Sequence, residues 1–326
     1  ISGSGGIQHQ GPGTLTLASA STYSGPTVID VGATLQLEDA GTLGSGNVTN
    51  NGTLVFNLTS TNTFANLISG TGDVQHVGTG TTILTAANNY TGTTTVAGGV
   101  LDLDGSPKGV LYALSPTVSS NVLVVTNGGS LKVNDWNAGS TGSLGLLPES
   151  SDRIYVNDGT LIFGNTFDSA RGFRVGPNGA TIRVTVGGSG TNAYVKTEAA
   201  ASPDEMRLSF ASGSFLKISG SGNTTFEDSL GFSGSDPYGG SNNFEVRKEG
   251  TGTLRLNKTN FYTGETKLNA GTTIIGAAGS IASSAGAVVA DGASLQVKGT
   301  AGAVTVNSGA QVEGSGAINS LSISSG

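Results

Sequence analysis

The stretch Gly11-Pro12-Gly13-Thr14-Leu15-Thr16-Leu17, continued by Tyr23-Ser24-Gly25-Pro26-Thr27-Val28-Ile29 and closed by Gly32, returns twice along the chain. The second copy reads Gly78-Thr79-Gly80-Thr81-Thr82-Ile83-Leu84, then Tyr90-Thr91-Gly92-Thr93-Thr94-Thr95-Val96 and Gly99. The third reads Gly250-Thr251-Gly252-Thr253-Leu254-Arg255-Leu256, then Tyr262-Thr263-Gly264-Glu265-Thr266-Lys267-Leu268 and Gly271. With Ile1 set against Ile68, nearly half of the positions from Ile1 to Gly32 are identical. In all three copies a glycine stands ten positions before the tyrosine, and others stand two and nine positions after it.

Between the copies a weaker theme repeats, a glycine after Asn or Asp followed by alternating apolar residues, as in Asn51-Gly52-Thr53-Leu54-Val55-Phe56 and Asp291-Gly292-Ala293-Ser294-Leu295-Gln296-Val297. Period-two alternation bounded by Asn-Gly or Asp-Gly reads as short strands joined by tight turns. Hairpins explain each turn alone but not similarity at long, fixed offsets. A coiled parallel sheet explains both, with the offset from Ile1 to Ile68 as three turns of about 22 residues. The expected fold is therefore an all-β parallel β-solenoid, a right-handed β-helix of roughly 15 rungs that runs through residues 1–326 as one continuous body, with a few protruding loops. Leu15, Leu17, Leu84, Leu254 and Leu256 point inward, as does the set Ile29, Val96 and Leu268, while the intervening Thr and Ser face water. A helical pattern shows only as a short stretch at Thr197–Arg207.

Composition agrees. The 326 residues hold 54 glycines, 15 basic and 22 acidic residues, and no cysteine. Collagen would need glycine at every third position, a disulfide scaffold would need cysteine, and a disordered chain would not be 36% hydrophobic with a net charge of only -7. The acidic balance argues against nucleic acid, and no apolar run approaches the ~20 residues of a membrane helix. The first residue is Ile1 and both ends read as mid-rung solenoid, so the expectation is a fragment or a subunit of a larger surface protein.

On these residues the chain resembles the passenger-associated transport repeat, also called the autotransporter-associated β-strand repeat, of large bacterial surface proteins. The resemblance is strong over residues 1–37, 68–103 and 244–276. It implies a non-enzymatic passenger exported through an outer-membrane barrel, lying outside the cell or on the surface of a Gram-negative-type bacterium, in which these turns support secretion and folding.

Stretches without alternation fall near 104–121, 134–152, 190–206 and 233–243 and read as insertions at solenoid corners. Two aromatics in them, Trp136 and Tyr238, are the candidate ligand contacts, each able to stack on a sugar ring or to cover the core rim. Chemistry-bearing clusters are few. His9 and His76 share one repeat position where the third copy has Lys248, which suits a surface or corner place better than a catalytic or zinc-binding role. Asp102 and Asp104 alternate with Leu101 and Leu103 and read as solvent-facing carboxylates. No catalytic, metal or cofactor-binding residue is assigned, and no cofactor is expected. Charge is densest between positions 150 and 210. Asp158, Asp168, Arg174 and Arg183 there are the acid and base candidates if the chain were instead a polysaccharide-degrading β-helix enzyme. The leading expectation is an extracellular structural protein, a passenger stalk or fibre subunit. An adhesin for a glycan or for a host or neighbour-cell surface is the alternative, and self-association into filaments or a surface matrix is the other partner to consider.

Overall fold

A computed structural model of the chain describes residues 1–103, 110–111, 123–133, 154–163, 167–169, 173–185, 194–197, 208–227, 229–234 and 239–324. Every strand pairing among them is parallel, no helix occurs, and the fold is a parallel β-solenoid of about 12 turns. Thr197 ends the strand Tyr194–Thr197, and the rest of the stretch with a helical pattern, 198–207, lies outside the described residues. Two compact units divide the chain, Ile1–Pro148 and Glu149–Gly326.

In the first unit three ladders stack. One joins Ile7–His9, Thr27–Ile29, Val48–Asn50 and Ile68–Ser69. The second joins Gly13–Leu17, Ala33–Glu38, Thr53–Asn57, Asp73–His76, Thr94–Val96 and Leu123–Thr126. The third joins Thr61–Phe64, Thr81–Leu84, Val100–Asp102 and Ser130–Val133. Registers give the length of each turn: Leu15 pairs Leu35, which pairs Leu54, then Val74, then Thr94, in short and nearly equal steps. Thr94 then pairs Leu123, a step half as long again; the stretch 104–121 falls within it, most of it outside the described residues.

The second unit repeats the plan. Gly159–Phe163 leads through Ala180–Val184, Ser214–Gly220, Phe244–Lys248, Thr266–Leu268 and Ala287–Val289 to Thr300–Val306 and Ala317–Ile323. Beside it runs a ladder from Phe167–Ser169 to Gln311–Gly314. Ile182 pairs Ile218 and Ile218 pairs Lys248, two long steps within which fall the stretches 190–206 and 233–243, in part outside the described residues. Val289 pairs Val306 in a short one, through corners built from Ala and Gly. The long turns absorb chain that evenly short turns would have spent on further rungs, which is why the count is about 12 and not the larger number expected from the sequence.

The short turns also correct the reading of the offset between the first two copies. Three turns of the length seen from Leu15 to Leu35 fall short of that offset by about one side of the coil. His9 therefore lies on the ladder of Ile29 and Asn50, while His76 lies on that of Leu37 and Phe56. The second copy begins on the face where the first copy's second strand sits. Similarity between copies thus reflects what each copy does within itself.

The interior is aliphatic where the alternation placed it. Leu17, Leu84, Leu254, Leu256, Ile29, Val96 and Leu268 are buried, Leu15 is half-buried, and each full burial contributes roughly 1.5–3 kcal/mol. Aromatic pairs join them in the core, Phe56 with Phe64 at 4.9 Å between ring centres and Phe210 stacked on Phe244 at 3.6 Å.

Candidate functional site

Each copy of the repeat closes one turn of the coil on itself. His9 pairs Ile29, His76 pairs Val96 and Lys248 pairs Leu268, the same interval along the chain each time. The strand that opens a copy is thus covered by the strand that ends it, and the corner between them carries the motif.

At that corner the tyrosine turns inward. Tyr23, Tyr90 and Tyr262 are buried, and each hydroxyl meets the threonine four positions on, at 2.6 Å for Thr27, 2.6 Å for Thr94 and 2.8 Å for Thr266. These threonines are buried too, which corrects the expectation that intervening Thr faces water: Thr14 and Thr16 do, but the threonine of Tyr-x-Gly-x-Thr is the partner that lets a phenol enter an apolar core. Burial pushes the Tyr90 and Tyr262 hydroxyls well above the usual tyrosine range. The glycine two positions after the tyrosine lies hard against the preceding turn, so that a Cβ at Gly92 would strike the Gly72 carbonyl and one at Gly264 the Phe244 carbonyl. The glycine nine after has positive φ in all three copies, +80° at Gly32, +40° at Gly99 and +68° at Gly271.

The residue two before the tyrosine is a further member that the sequence reading missed. The Asn88 side chain accepts from the Ile68 amide of the preceding turn at 2.8 Å and donates to the Ala86 carbonyl. Asn260 accepts from the Leu230 amide at 2.9 Å and donates to the carbonyls of Lys258 and Ser280. The first copy has Ser21 here, which hides the pattern from a three-way comparison.

The shared position of His9, His76 and Lys248 is inward, not a surface place. His9 is half-buried, and its Nε2 donates to the Gly13 carbonyl at 3.1 Å. His76 is fully buried, with Nε2 donating to the Gly80 carbonyl at 3.3 Å and Nδ1 facing the Thr82 hydroxyl at 3.2 Å. Because the carbonyl can only accept, Nε2 carries the proton, and Thr82 donates to Nδ1 of the neutral ring. Burial holds His76 below the usual histidine range, partly offset by the Gly80 carbonyl. Lys248 is buried as well and spends its three ammonium protons on the carbonyls of Glu249 at 3.1 Å, Gly250 at 2.6 Å and Ala270 at 3.3 Å. Burial brings its pKa down to about 8, against the pull of Glu249. The site tolerates His or Lys because what it requires is a donor reaching the carbonyls of a glycine corner.

Asp102 also departs from expectation. It is largely buried and receives the Lys132 ammonium at 2.8 Å across one turn, so it is a paired group, not a solvent-facing carboxylate. Asp104, Trp136 and Tyr238 lie outside the described residues, as does the side chain of Asp168. Of the remaining acid and base candidates, Arg174 sits on the ladder of Tyr155 and Ser209, and Arg183 on that of Ile162 and Ser219. Asp158 occupies a corner at φ 58°. Among the described residues, ion pairs include those of Glu245 with Arg247 at 2.7 Å and with Lys267 at 3.1 Å, and Lys217 faces Glu249 at 3.7 Å. Among the described residues no group of three or more His, Cys, Asp and Glu could hold a metal.

A coil whose turns close individually through a buried Tyr–Thr pair, with glycines set against the turn below, is a β-solenoid repeat protein. Residues 10–37, 77–103 and 246–275 match the passenger-associated-transport-repeat. The chain is also distantly similar to the adhesin BmaC autotransporter of Brucella suis biovar 1 (strain 1330), 29% identical over 212 residues. That alignment covers 62% of this chain but only 6% of the adhesin. No solved structure matches the chain.

Proposed function

We propose that the chain is a non-enzymatic stalk outside a Gram-negative-type cell, one continuous solenoid whose repeats act as stations for folding during export. One observation carries this reading: in each repeat the opening and closing strands pair across a single turn, His9 with Ile29, His76 with Val96 and Lys248 with Leu268, so a turn closes from its own residues as soon as they emerge. Closing a loop of ~20 residues costs little entropy, and a finished turn offers an edge on which the next can pair. A chain folding turn by turn on the far side of a membrane resists sliding back. The test is secretion of the natural protein with Tyr90 and Tyr262 both replaced by Ala. The stalk reading expects less protein at the surface and arrested chains within the envelope; undiminished secretion would count against it.

A second reading, an adhesin, is favoured by the similarity to a protein named as one and by the long turns, which hold more chain between paired strands than the others do. Saturable binding to a glycan array or to host cells, lost when Trp136 and Tyr238 are replaced by Ala, would support it. The intact mass of the natural protein separates a stalk within a longer chain from a free fibre subunit of about 32.2 kDa.

A further inference from the structure

In the unit Glu149–Gly326, three successive turns set Tyr155, Arg174 and Ser209 in register. Their neighbours Val156, Val175 and Phe210 point into the core, so the three form one row on the outer side of the ladder, with Ser209 covered at its end. Over this row lies a cleft of about 280 Å³, walled on one side by the Gly176-Pro177 corner and on the other by Gly239 and Gly240. Both walls are tied down. The Asn178 amide donates to the Asn157 side chain at 2.8 Å, the Ser241 amide to the Phe210 carbonyl at 2.7 Å, and the Gly213 amide to the Asn243 carbonyl at 2.6 Å. The Tyr155 hydroxyl lies against Gly176, where a Cβ would collide with it, so the ring is held over the corner.

Arg174 is exposed. Unlike Lys132, Lys217, Arg247 and Lys267, it meets no carboxylate among the described residues. The chain as a whole is acidic, with net charge -7, so an anion is drawn here by this local group and not by the overall field. A guanidinium presents a planar fork that matches a carboxylate at two points. Tyr155 and Pro177 add a flat apolar flank of the kind that packs on the C–H face of a sugar ring. The volume lies just below the range of drug-sized ligand sites, roughly 300 to 1,000 Å³, and suits a single ring instead of a helix or an extended peptide.

We propose that this cleft binds a carboxylate-bearing pyranose, a uronic-acid unit of an acidic polysaccharide, with Arg174 on the carboxylate and Tyr155 against the ring. The site adds a function to the stalk and does not depend on how the chain is exported.

The test is titration of the full chain with galacturonic acid, galactose and acetate, followed by NMR, with circular dichroism to verify that each variant is folded. Galacturonic acid should bind saturably and about tenfold or more tighter than either control, because one ligand lacks the charge and the other the ring. Arg174→Gln should weaken it about tenfold or more, Tyr155→Ala by severalfold, and Arg183→Gln, an exposed arginine on the neighbouring ladder, not at all. Equal affinity for galactose or for acetate overturns the proposal. So does indifference to Arg174→Gln, an equal loss in Arg183→Gln, or no saturable binding at tens of millimolar. None of these outcomes bears on the secretion experiment above.

Discussion

Lys248 stands in the third repeat where His76 stands in the second, and both reach into the coil to the backbone of a glycine corner: His76 Nε2 to the Gly80 carbonyl at 3.3 Å, Lys248 Nζ to the Gly250 carbonyl at 2.6 Å. One is a neutral ring and the other a buried cation, so the same architectural task leaves two distinct marks on the response to pH.

For His76, burial depresses the folded-state pKa below the unfolded value of 6.5. The unfolded chain therefore binds the proton more readily, and the contribution of this group, complete above pH 6.5, is lost as pH falls through the folded pKa. Protonation also puts a hydrogen on Nδ1 and forces the Thr82 hydroxyl to turn. Urea midpoints should decline from pH 7 to pH 5 in the native chain and decline less in His76→Gln, which at pH 7 should itself be weaker by about 1–2 kcal/mol for its disturbed hydrogen bonds. Equal slopes for the two proteins would show that His76 takes up its proton as readily in the fold as in the unfolded chain.

Lys248 gives the opposite end of the scale. Its folded pKa of about 8 lies below the unfolded 10.5, so stability rises as pH climbs between those values and is flat below pH 8. Lys248→Met should abolish that rise and cost about 2 kcal/mol at neutral pH, since the carbonyls of Glu249, Gly250 and Ala270 lose their common donor. Lys248→His, which copies the second repeat, should recover part of the loss. Denaturation midpoints at pH 7, 9 and 10 would measure all three.

The tyrosine locks differ in how well their threonines are backed up. Thr266 has a second partner, the Ser284 hydroxyl at 3.0 Å, whereas the hydroxyl of Thr94 is met by Tyr90 alone. Tyr90→Phe should therefore cost more than Tyr262→Phe, about 1.5 kcal/mol against less than about 1 kcal/mol. Either tyrosine changed to Ala should cost about 3–5 kcal/mol, as for any fully buried aromatic. Amide hydrogen exchange on the flanking strands would show whether the loss stays within one turn, as expected for a stack of nearest-neighbour contacts.

Two glycines separate the cost of contact from the cost of conformation. Gly92→Ala drives a Cβ into the Gly72 carbonyl of the turn below and should destabilise by more than about 2 kcal/mol. At Gly128, with φ +75° and open space around it, Ala meets only the left-handed backbone and should cost about 1 kcal/mol. Thermal midpoints of the two variants give the comparison, and equal effects would mean that the close approach at Gly92 relaxes freely.

Much of this molecule was legible in local pattern. Alternation placed Leu17, Leu84 and Leu256 inside, and glycine spacing marked three repeats. These are properties of a residue and its near neighbours, because strand periodicity and positive φ are decided within a few bonds. The number of turns was not legible. The step from Ile182 to Ile218 is about twice that from Val289 to Val306, and only the pairing of one turn on the next reveals it.

The same limit explains the misplaced side chains. Asp102 reads as a surface carboxylate until Lys132 is found stacked on it from the next turn, and His76 reads as a corner until the turn closes over it. Tyr155, Arg174 and Ser209 carry no common motif, yet register sets them in one row. By itself the sequence determined that the chain coils, where its repeats lie and which aliphatic residues face in. Which polar groups share a buried or outward row was decided only in three dimensions, because in a solenoid a residue's partner is whatever lies one turn above it, at a distance along the chain that the loops between them set.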